Sequence, residues 1–322
     1  MNNIILLTVA AVVLAANGAI AQTRDFPQRP VRIVVPVPPG GSVDATARLL
    51  APKMTESLGQ SVVIDNRGGA STNIGMELVA RAPADGYTLL ANTVPLVANP
   101  ALFPKLSFSP EKDFVPVSLV VTGPSVIVAH PSVPVRDLAG LVALARAKPG
   151  SINYSSSGAG TLTHLGAELF KYLTATNLVH VPYKGGGPAL AAVIAGECDV
   201  TFQTPLAAAG QIKAGRLHAL AVTSNRRLAM LPDVPTTAEV GVPKYEFQSW
   251  VGILAPAATP PAIVRQLNEH IVRAARTAVV TERFAREGAE VVAGTPEQFR
   301  KVIADETALW AKVIREMGIR AE

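Results

Sequence analysis

Short apolar runs rich in Val, Ile and Leu alternate along this chain with longer stretches whose apolar positions recur every three or four residues. The runs predict strands over 32–37, 62–65, 87–91, 152–155, 178–181, 199–203, 217–222 and 250–255. The longer stretches predict helices over 44–58, 74–81, 137–147, 162–173, 188–195, 261–276 and 296–317. In the first of these helices, Leu49, Leu50 and Met54 share one face. Strands that are almost wholly apolar and spaced by amphipathic helices belong to parallel sheets covered on both faces, so the fold class is α/β. No fixed-period repeat and no low-complexity segment interrupts this pattern.

One apolar stretch falls outside it. Ile4 to Ala16 is apolar except for Thr8, and Asn17-Gly18 and then Ala19-Ile20-Ala21 follow it. A short apolar core ending in a small-x-small triplet is what signal peptidase reads, and a membrane span needs about 20 apolar residues. Residues 1–21 are therefore expected to be a signal peptide, with a mature periplasmic chain from Gln22. The positive leading region reduces to the terminal amine, and the alternative is a buried N-terminal helix. The absence of a nearby Cys argues against a lipid anchor.

The remaining roughly 300 residues favour two domains over one core. With 49% hydrophobic and 16% charged residues, the composition is that of a globular chain. The net charge of +5 comes from scattered residues with no basic run interleaved with aromatics, so no nucleic-acid partner is indicated. That excess can still steer anions toward a cleft. Cys198 stands alone, which rules out an internal disulfide and Cys-type metal spacing, and Gly196-Glu197-Cys198-Asp199-Val200 reads as the entry to a buried strand, with Cys198 a small core residue. No cofactor or metal site is expected.

The chemistry is concentrated in two glycine-rich turns, each running from a predicted strand into a predicted helix. The first is Pro36-Val37-Pro38-Pro39-Gly40-Gly41-Ser42-Val43-Asp44, and the second is Ser155-Ser156-Ser157-Gly158-Ala159-Gly160-Thr161-Leu162-Thr163-His164. Glycines let the backbone approach a ligand closely, and a helix N-terminus offers free N–H groups and a positive dipole end. In open α/β sheets, ligands bind beyond the carboxyl ends of strands, where such turns lie. Ser42 or Asp44 would cap the first helix. Ordinary capping explains either turn alone equally well.

Neither turn is a nucleotide motif. Thr163 stands where the third glycine of a dinucleotide fingerprint belongs, and neither turn contains G-K-[ST]. The nucleophile elbow G-x-S-x-G fails in Gly69-Ala70-Ser71-Thr72-Asn73 at its last position.

Taken in order, several segments resemble the Bug family, the TctC-type substrate-binding proteins of tripartite tricarboxylate transporters. They are Val35 to Asp44, Asp65-Asn66-Arg67-Gly68-Gly69-Ala70-Ser71-Thr72-Asn73-Ile74-Gly75, and Ala84-Asp85-Gly86-Tyr87-Thr88-Leu89-Leu90. Gly158 to Leu165, His180-Val181-Pro182-Tyr183-Lys184-Gly185-Gly186 and Leu231-Pro232-Asp233-Val234-Pro235-Thr236 continue the series. The resemblance covers essentially the whole chain beyond residue 21.

It implies a two-lobed periplasmic binding protein of the type II, Venus-flytrap kind, with two crossover hinge strands and no enzymatic activity. Lobe one would comprise 22–121 and 250–322, lobe two 122–249, with crossings near 117–128 and 251–255. The ligand would be a small carboxylate, and the partners the membrane permease subunits of such a transporter. Matched position by position, the ligand-binding residues would be Pro38, Gly40, Gly41, Ser42, Ser71, Thr72 and Thr93 in lobe one. In lobe two they would be Ser157, Gly158, Gly160, Thr161, Thr163 and Asp199. Asp199 would accept a hydrogen bond from the ligand or fix neighbouring backbone, and Tyr183 would line the cleft or pack. Val37 departs from the family pattern, in which an aromatic often follows the proline. A smaller side chain there predicts a wider pocket.

Three alternative readings fit the same residues. The closed form could signal to a membrane sensor kinase. A serine hydrolase could use Ser157 or Ser71 with His164 and Asp199, although His164 reads better as a locally bonded helix residue. The fold could also be an orphan scaffold without a ligand.

Overall fold

The computed structural model describes residues 26–103, 105–286 and 288–320. The expected signal peptide, residues 1–21, lies outside them.

The first sheet begins with three parallel strands joined by helices: β1 (Val31–Val35), α1 (Ser42–Leu58), β2 (Val62–Asn66), α2 (Asn73–Ala80), β3 (Thr88–Asn92) and α3 (Pro95–Leu102). Alternation along β1 explains its double burial. Val31, Ile33 and Val35 pack with Ala47, Leu50 and Met54 of α1, while Val34 faces Met76 and Val79 of α2. Each such fully buried Leu or Met contributes about 1.5–3 kcal/mol.

The chain then leaves this sheet. A short helix α4 (Pro110–Asp113) leads into β4 (Phe114–Pro124), and only Ser125 separates β4 from β5 (Val126–Ala129) of a second sheet. There α5 (Leu138–Ala147), β6 (Asn153–Ser156), α6 (Leu162–Thr174), β7 (Val179–Pro182), α7 (Gly186–Ile194), β8 (Val200–Gln203), α8 (Pro205–Lys213) and β9 (His218–Val222) follow. The return passes through residues 223–247 to β10 (Gln248–Pro256), and α9 (Pro261–Ala275), α10 (Ala278–Arg286), β11 (Glu290–Val291) and α11 (Pro296–Met317) complete the fold.

The sheet orders are β11-β4-β10-β3-β1-β2 and β7-β6-β8-β5-β9. Both are mixed rather than wholly parallel: β10 runs antiparallel to β3, as β5 does to β8. The two halves repeat one plan, since β2-β1-β3 and β7-β6-β8 are each a parallel trio with the earliest strand central.

The two passages between sheets are tied together. Ser125 N–H donates to Thr223 Oγ1 at 2.8 Å, Thr223 N–H donates to Ser125 O at 2.9 Å, and the Thr223 hydroxyl also donates to Phe247 O. The expected second crossing over 251–255 lies inside β10, already within the first sheet. The capping box of Thr295 and Gln298 starts α11, which continues past the first sheet to set Trp310 against Phe247.

Candidate functional site

The parallel trios fix where each turn emerges. Residues 36–41 leave the carboxyl end of β1, residues 67–72 that of β2, and Thr93 that of β3. In the second sheet, residues 157–161 leave the carboxyl end of β6 and residues 183–185 that of β7. All the expected ligand residues except Asp199 lie on these edges or in the first turn of the helix that follows.

The two glycine turns have nearly the same backbone. Gly40 takes φ +96° and Gly41 caps α1 at φ −78°, ψ 169°. Gly160 takes φ +71° and Thr161 caps α6 at φ −79°, ψ 166°. Gly41 has no side chain and the Thr161 hydroxyl accepts from no backbone N–H of its helix, so the first N–H groups of α1 and α6 stay free for an anion. The expectation that Ser42 or Asp44 caps α1 is corrected here. Gly41 holds that position, and the Asp44 carboxylate reaches back to Gly40 N–H at 2.9 Å.

Asp44 is buried and also accepts from Arg48 Nε at 2.9 Å and Asn66 Nδ2 at 2.9 Å. Burial alone would raise its pKa; the bonds from Arg48, Gly40 and Asn66 outweigh that and hold it below the usual carboxylate range. Asn66 Nδ2 donates to Val37 O as well, at 3.0 Å, which fixes the proximal half of the turn.

The second turn is built from hydroxyls and imidazoles instead. Thr163 Oγ1 accepts from Ser157 N–H at 2.8 Å and lies 2.9 Å from Ser157 Oγ and 3.2 Å from Thr161 Oγ1. Gly160 N–H donates to His164 Nδ1 at 3.1 Å. Residues 70–72 take left-handed backbone at Ala70 (φ 47°), Ser71 (φ 51°) and Thr72 (φ 74°). This brings Ser71 against the second turn: a Cβ built on Gly160 would stand 2.9 Å from Ser71 Oγ.

Asp199 is the residue the structure moves away. It precedes β8, at the amino end of the strand, whereas the turns lie at carboxyl ends. Its carboxylate accepts Asn153 N–H at 2.8 Å while its own N–H donates to Asn153 Oδ1 at 2.8 Å. It fixes backbone between β6 and β8, at the opposite end of the strand from the turns. The hydrolase arrangement accordingly does not assemble. Ser157 Oγ pairs with Thr163, His164 Nδ1 is taken by Gly160, and Asp199 sits at the wrong end of its strand.

Two residues on the site edges had not been singled out. Gln203 ends β8 with its side chain buried, and its Oε1 and Ser157 Oγ both border the space a Gly186 Cβ would occupy, at 3.8 and 3.6 Å. Asn92 ends β3 fully buried; its Oδ1 accepts Thr93 N–H at 2.8 Å, while its Nδ2 and the nearby-edge Thr72 Oγ1 have no partner among the described residues. The signal was a polar residue closing an apolar strand, as in Leu89-Leu90-Ala91-Asn92. Tyr183 hydroxyl lies 3.7 Å from Cys198 Sγ. Among the described residues no three His, Cys, Asp or Glu could hold a metal ion, and no helix is long and apolar enough to cross a membrane.

Comparison with known proteins points the same way. The profile of the tripartite tricarboxylate transporter family receptor matches residues 46–319. The chain is 39% identical over 324 residues to protein BugT of Bordetella pertussis, covering 99% of each. Among solved structures it is similar to Rpa4515 of R. palustris, solved with adipate, at TM-score 0.81 and 37% identity over 92% of this chain and 99% of that one. It is also similar to MatC of Rhodopseudomonas palustris, solved with bound malate, at TM-score 0.79 and 32% identity over 90% and 100% of the two chains.

Proposed function

The chain belongs to the tripartite tricarboxylate transporter receptor family, a family of solute-binding proteins and not of enzymes, and from that premise we propose that it captures a small dicarboxylate between its two sheets in the periplasm. It then presents the closed complex to the membrane permease subunits of a transporter. Adipate and malate in the two similar structures support that ligand class.

The observation that carries this reading is the pairing of the turns. Two uncapped helix N-termini, one per sheet, project from the carboxyl ends of strands, and Ser71 of one sheet meets Gly160 of the other. Each turn offers half a site, so an anion spanning them is stabilised only when the lobes close. The lobes are 22–121 with 250–322, and 122–249. The ligand residues are Pro38, Gly40, Gly41, Ser42, Ser71, Thr72 and Thr93 opposite Ser157, Gly158, Gly160, Thr161 and Thr163. In the Gly40 and Gly160 positions it is the conformation, rather than the N–H, that serves the ligand, because both N–H groups are already bonded.

A thermal-shift screen of adipate, malate and citrate, each beside its neutral amide, tests the proposal. Ligand at about 100 times its dissociation constant adds about 2.7 kcal/mol, a shift of several degrees. At least one acid shifts the transition while its amide does not. No shift with any acid, on folded protein stripped of bound ligand, overturns the reading.

A further inference from the structure

Beneath the second turn lies a column of rings, buried at His164 and Tyr154 and half-buried at His180, that the ligand residues do not account for. His164 stacks on His180 with ring centroids 4.3 Å apart, and His180 stacks on Tyr154 at 4.9 Å. Each histidine holds one part of the turn. His164 Nδ1 accepts from Gly160 N–H at 3.1 Å. His180 Nε2 lies 2.5 Å from Ser156 Oγ, which accepts Gly158 N–H at 3.1 Å.

We propose that His164 and His180, as neutral imidazoles, are positioning residues that hold the Gly158–Thr161 backbone in its anion-receiving shape, so that protonating or removing them weakens carboxylate capture. The proposal rests on the reading that this turn faces the ligand. The first turn supplies the comparison. There Asp44, also four residues beyond its glycine, accepts Gly40 N–H in the same way. A carboxylate kept below its usual range never loses that acceptor near neutrality, whereas an imidazole protonated at Nδ1 would set N–H against N–H. As pH falls from neutrality the second turn's anchor is the first to titrate, the first turn's only in stronger acid.

The surroundings keep both rings neutral. Burial lowers the His164 pKa to about 4, with the charge of Lys171 adding to it. Burial also lowers His180 to about 4, with His164 and Lys171 adding and Glu168 opposing. Glu168 is largely spent: it pairs with Lys171 at 2.7 Å and accepts the Tyr154 hydroxyl at 2.6 Å. These are the charged and titratable groups that α6, β6 and β7 direct at the pair.

The test follows the Gly160 amide by 15N NMR in ligand-free protein from pH 3.5 to 8, with adipate affinity measured alongside for wild type, His164→Asn and His164→Leu. The Gly160 resonance is expected to titrate with the His164 ring near pH 4 and to lose that step in His164→Asn, whose amide oxygen replaces Nδ1. His164→Asn binds adipate within about threefold of wild type, and His164→Leu at least about tenfold more weakly. If His164→Leu does not fold, the pH profile decides: wild-type affinity falls more steeply below pH 5 than that of His164→Asn. A Gly160 amide indifferent to the ring, equal pH profiles, or a folded His164→Leu that binds like wild type overturns the proposal. If adipate and other dicarboxylates bind none of the proteins, the function proposed above fails, and the amide titration still decides this one.

Discussion

Ser71 Oγ occupies the space into which any side chain at Gly160 would grow, 2.9 Å from an ideal Cβ there. One residue belongs to the loop after β2, the other to the turn after β6, so the contact joins the two sheets across the site. Gly160 is also buried and left-handed, at φ +71°. Gly160→Ala therefore meets both a backbone cost of about 1–2 kcal/mol and a collision across the cleft. It is expected to weaken adipate binding at least about tenfold and to keep the ligand-saturated protein as extended as the free form in X-ray scattering. Adding Ser71→Gly removes the collision but not the strain, and should restore closure in part. Wild-type affinity in Gly160→Ala would sink the closed-site geometry.

The loop that carries Ser71 holds strain of its own. Ala70, Ser71 and Thr72 are all left-handed without being glycine, a run that costs about 1 kcal/mol or more per residue. Ala70 is exposed and its Cβ does nothing for the site. Ala70→Gly should raise the stability by roughly 0.5–1 kcal/mol, read as a higher Tm with unchanged ligand shift. A lower Tm would show that the loop is not strained at this position.

Asp44 is buried and bonded to Gly40, Arg48 and Asn66, so its loss loosens α1, β2 and the first turn together. Asp44→Ala should cost about 2–4 kcal/mol in urea denaturation, most of it from the stranded partners. The sign of the pH dependence follows from the lowered folded pKa. This contribution is complete above the ordinary carboxylate range and disappears as pH falls through and below it. The gap between wild type and Asp44→Ala should therefore be constant from pH 5 to 8 and close in strong acid. A gap that widened toward acid would contradict the assignment.

Much of this organisation could be read from the residues, for identifiable reasons. The strands β1 and β3 and most of β2 and β8 are short, apolar and followed by turns, so period and punctuation agreed, and the expected edges 62–65 and 199–203 fall within a residue of β2 and β8. Helices α3 and α8 escaped because their signal is weak. Pro95–Leu102 reads PLVANPAL, apolar nearly all round with an internal proline, and Pro205–Lys213 reads PLAAAGQIK with little polar contrast. The antiparallel strands β4 and β5 form one continuous apolar stretch in sequence, and nothing in it marks Ser125 as the point of crossing. Asp199 misled for a different reason. A polar residue beside a strand says nothing about which end of that strand faces a ligand until the sheet order is known. The glycine turns were legible because glycine chemistry is local; the side chains that hold them, Asp44, Asn66, His164 and His180, act across elements.

Glu306 on α11 accepts Trp250 Nε1–H from β10 at 2.8 Å, close to where the returning chain enters the first sheet. Burial raises its pKa to about 7, against hydrogen bonds from Trp250 and Trp310 that lower it. For an acid whose folded pKa is raised, stability is highest in acid and is lost as pH climbs from the unfolded value of 4.5 to about 7. The histidine pair has the opposite sign over an overlapping window, losing stability as pH falls from 6.5 toward about 4. Glu306→Gln keeps an acceptor for Trp250 and removes one of the two titrations. It should match wild type near pH 4.5 and exceed it by about 3 kcal/mol at pH 8. Equal stability at both pH values would mean that Glu306 ionises normally.

Val37 tests whether the first turn sets ligand width. It is half-buried, its carbonyl accepts from Asn66 Nδ2, and its Cγ2 lies 3.9 Å from a Cβ built on Gly41. A larger ring at this position would extend over the exposed segment Pro38 to Ser42, the mouth of the proposed site. The backbone anchors (Asp44 to Gly40 and Asn66 to Val37) involve no Val37 side-chain atom, so Val37→Phe should keep them, its ring resting on the first-sheet core that Val37 already touches and reaching into the space above the turn. A slim acid such as adipate would then bind Val37→Phe about as well as wild type, or better through the added apolar contact. An aromatic diacid such as terephthalate would lose affinity, because the ring fills the volume it needs. The expected change in the adipate-to-terephthalate ratio is about tenfold, the discrimination that one added or lost apolar group provides in a pocket. Calorimetry with both acids reads that ratio directly. If the two affinities move together, Val37 does not border the ligand, and width must be set elsewhere along the turns.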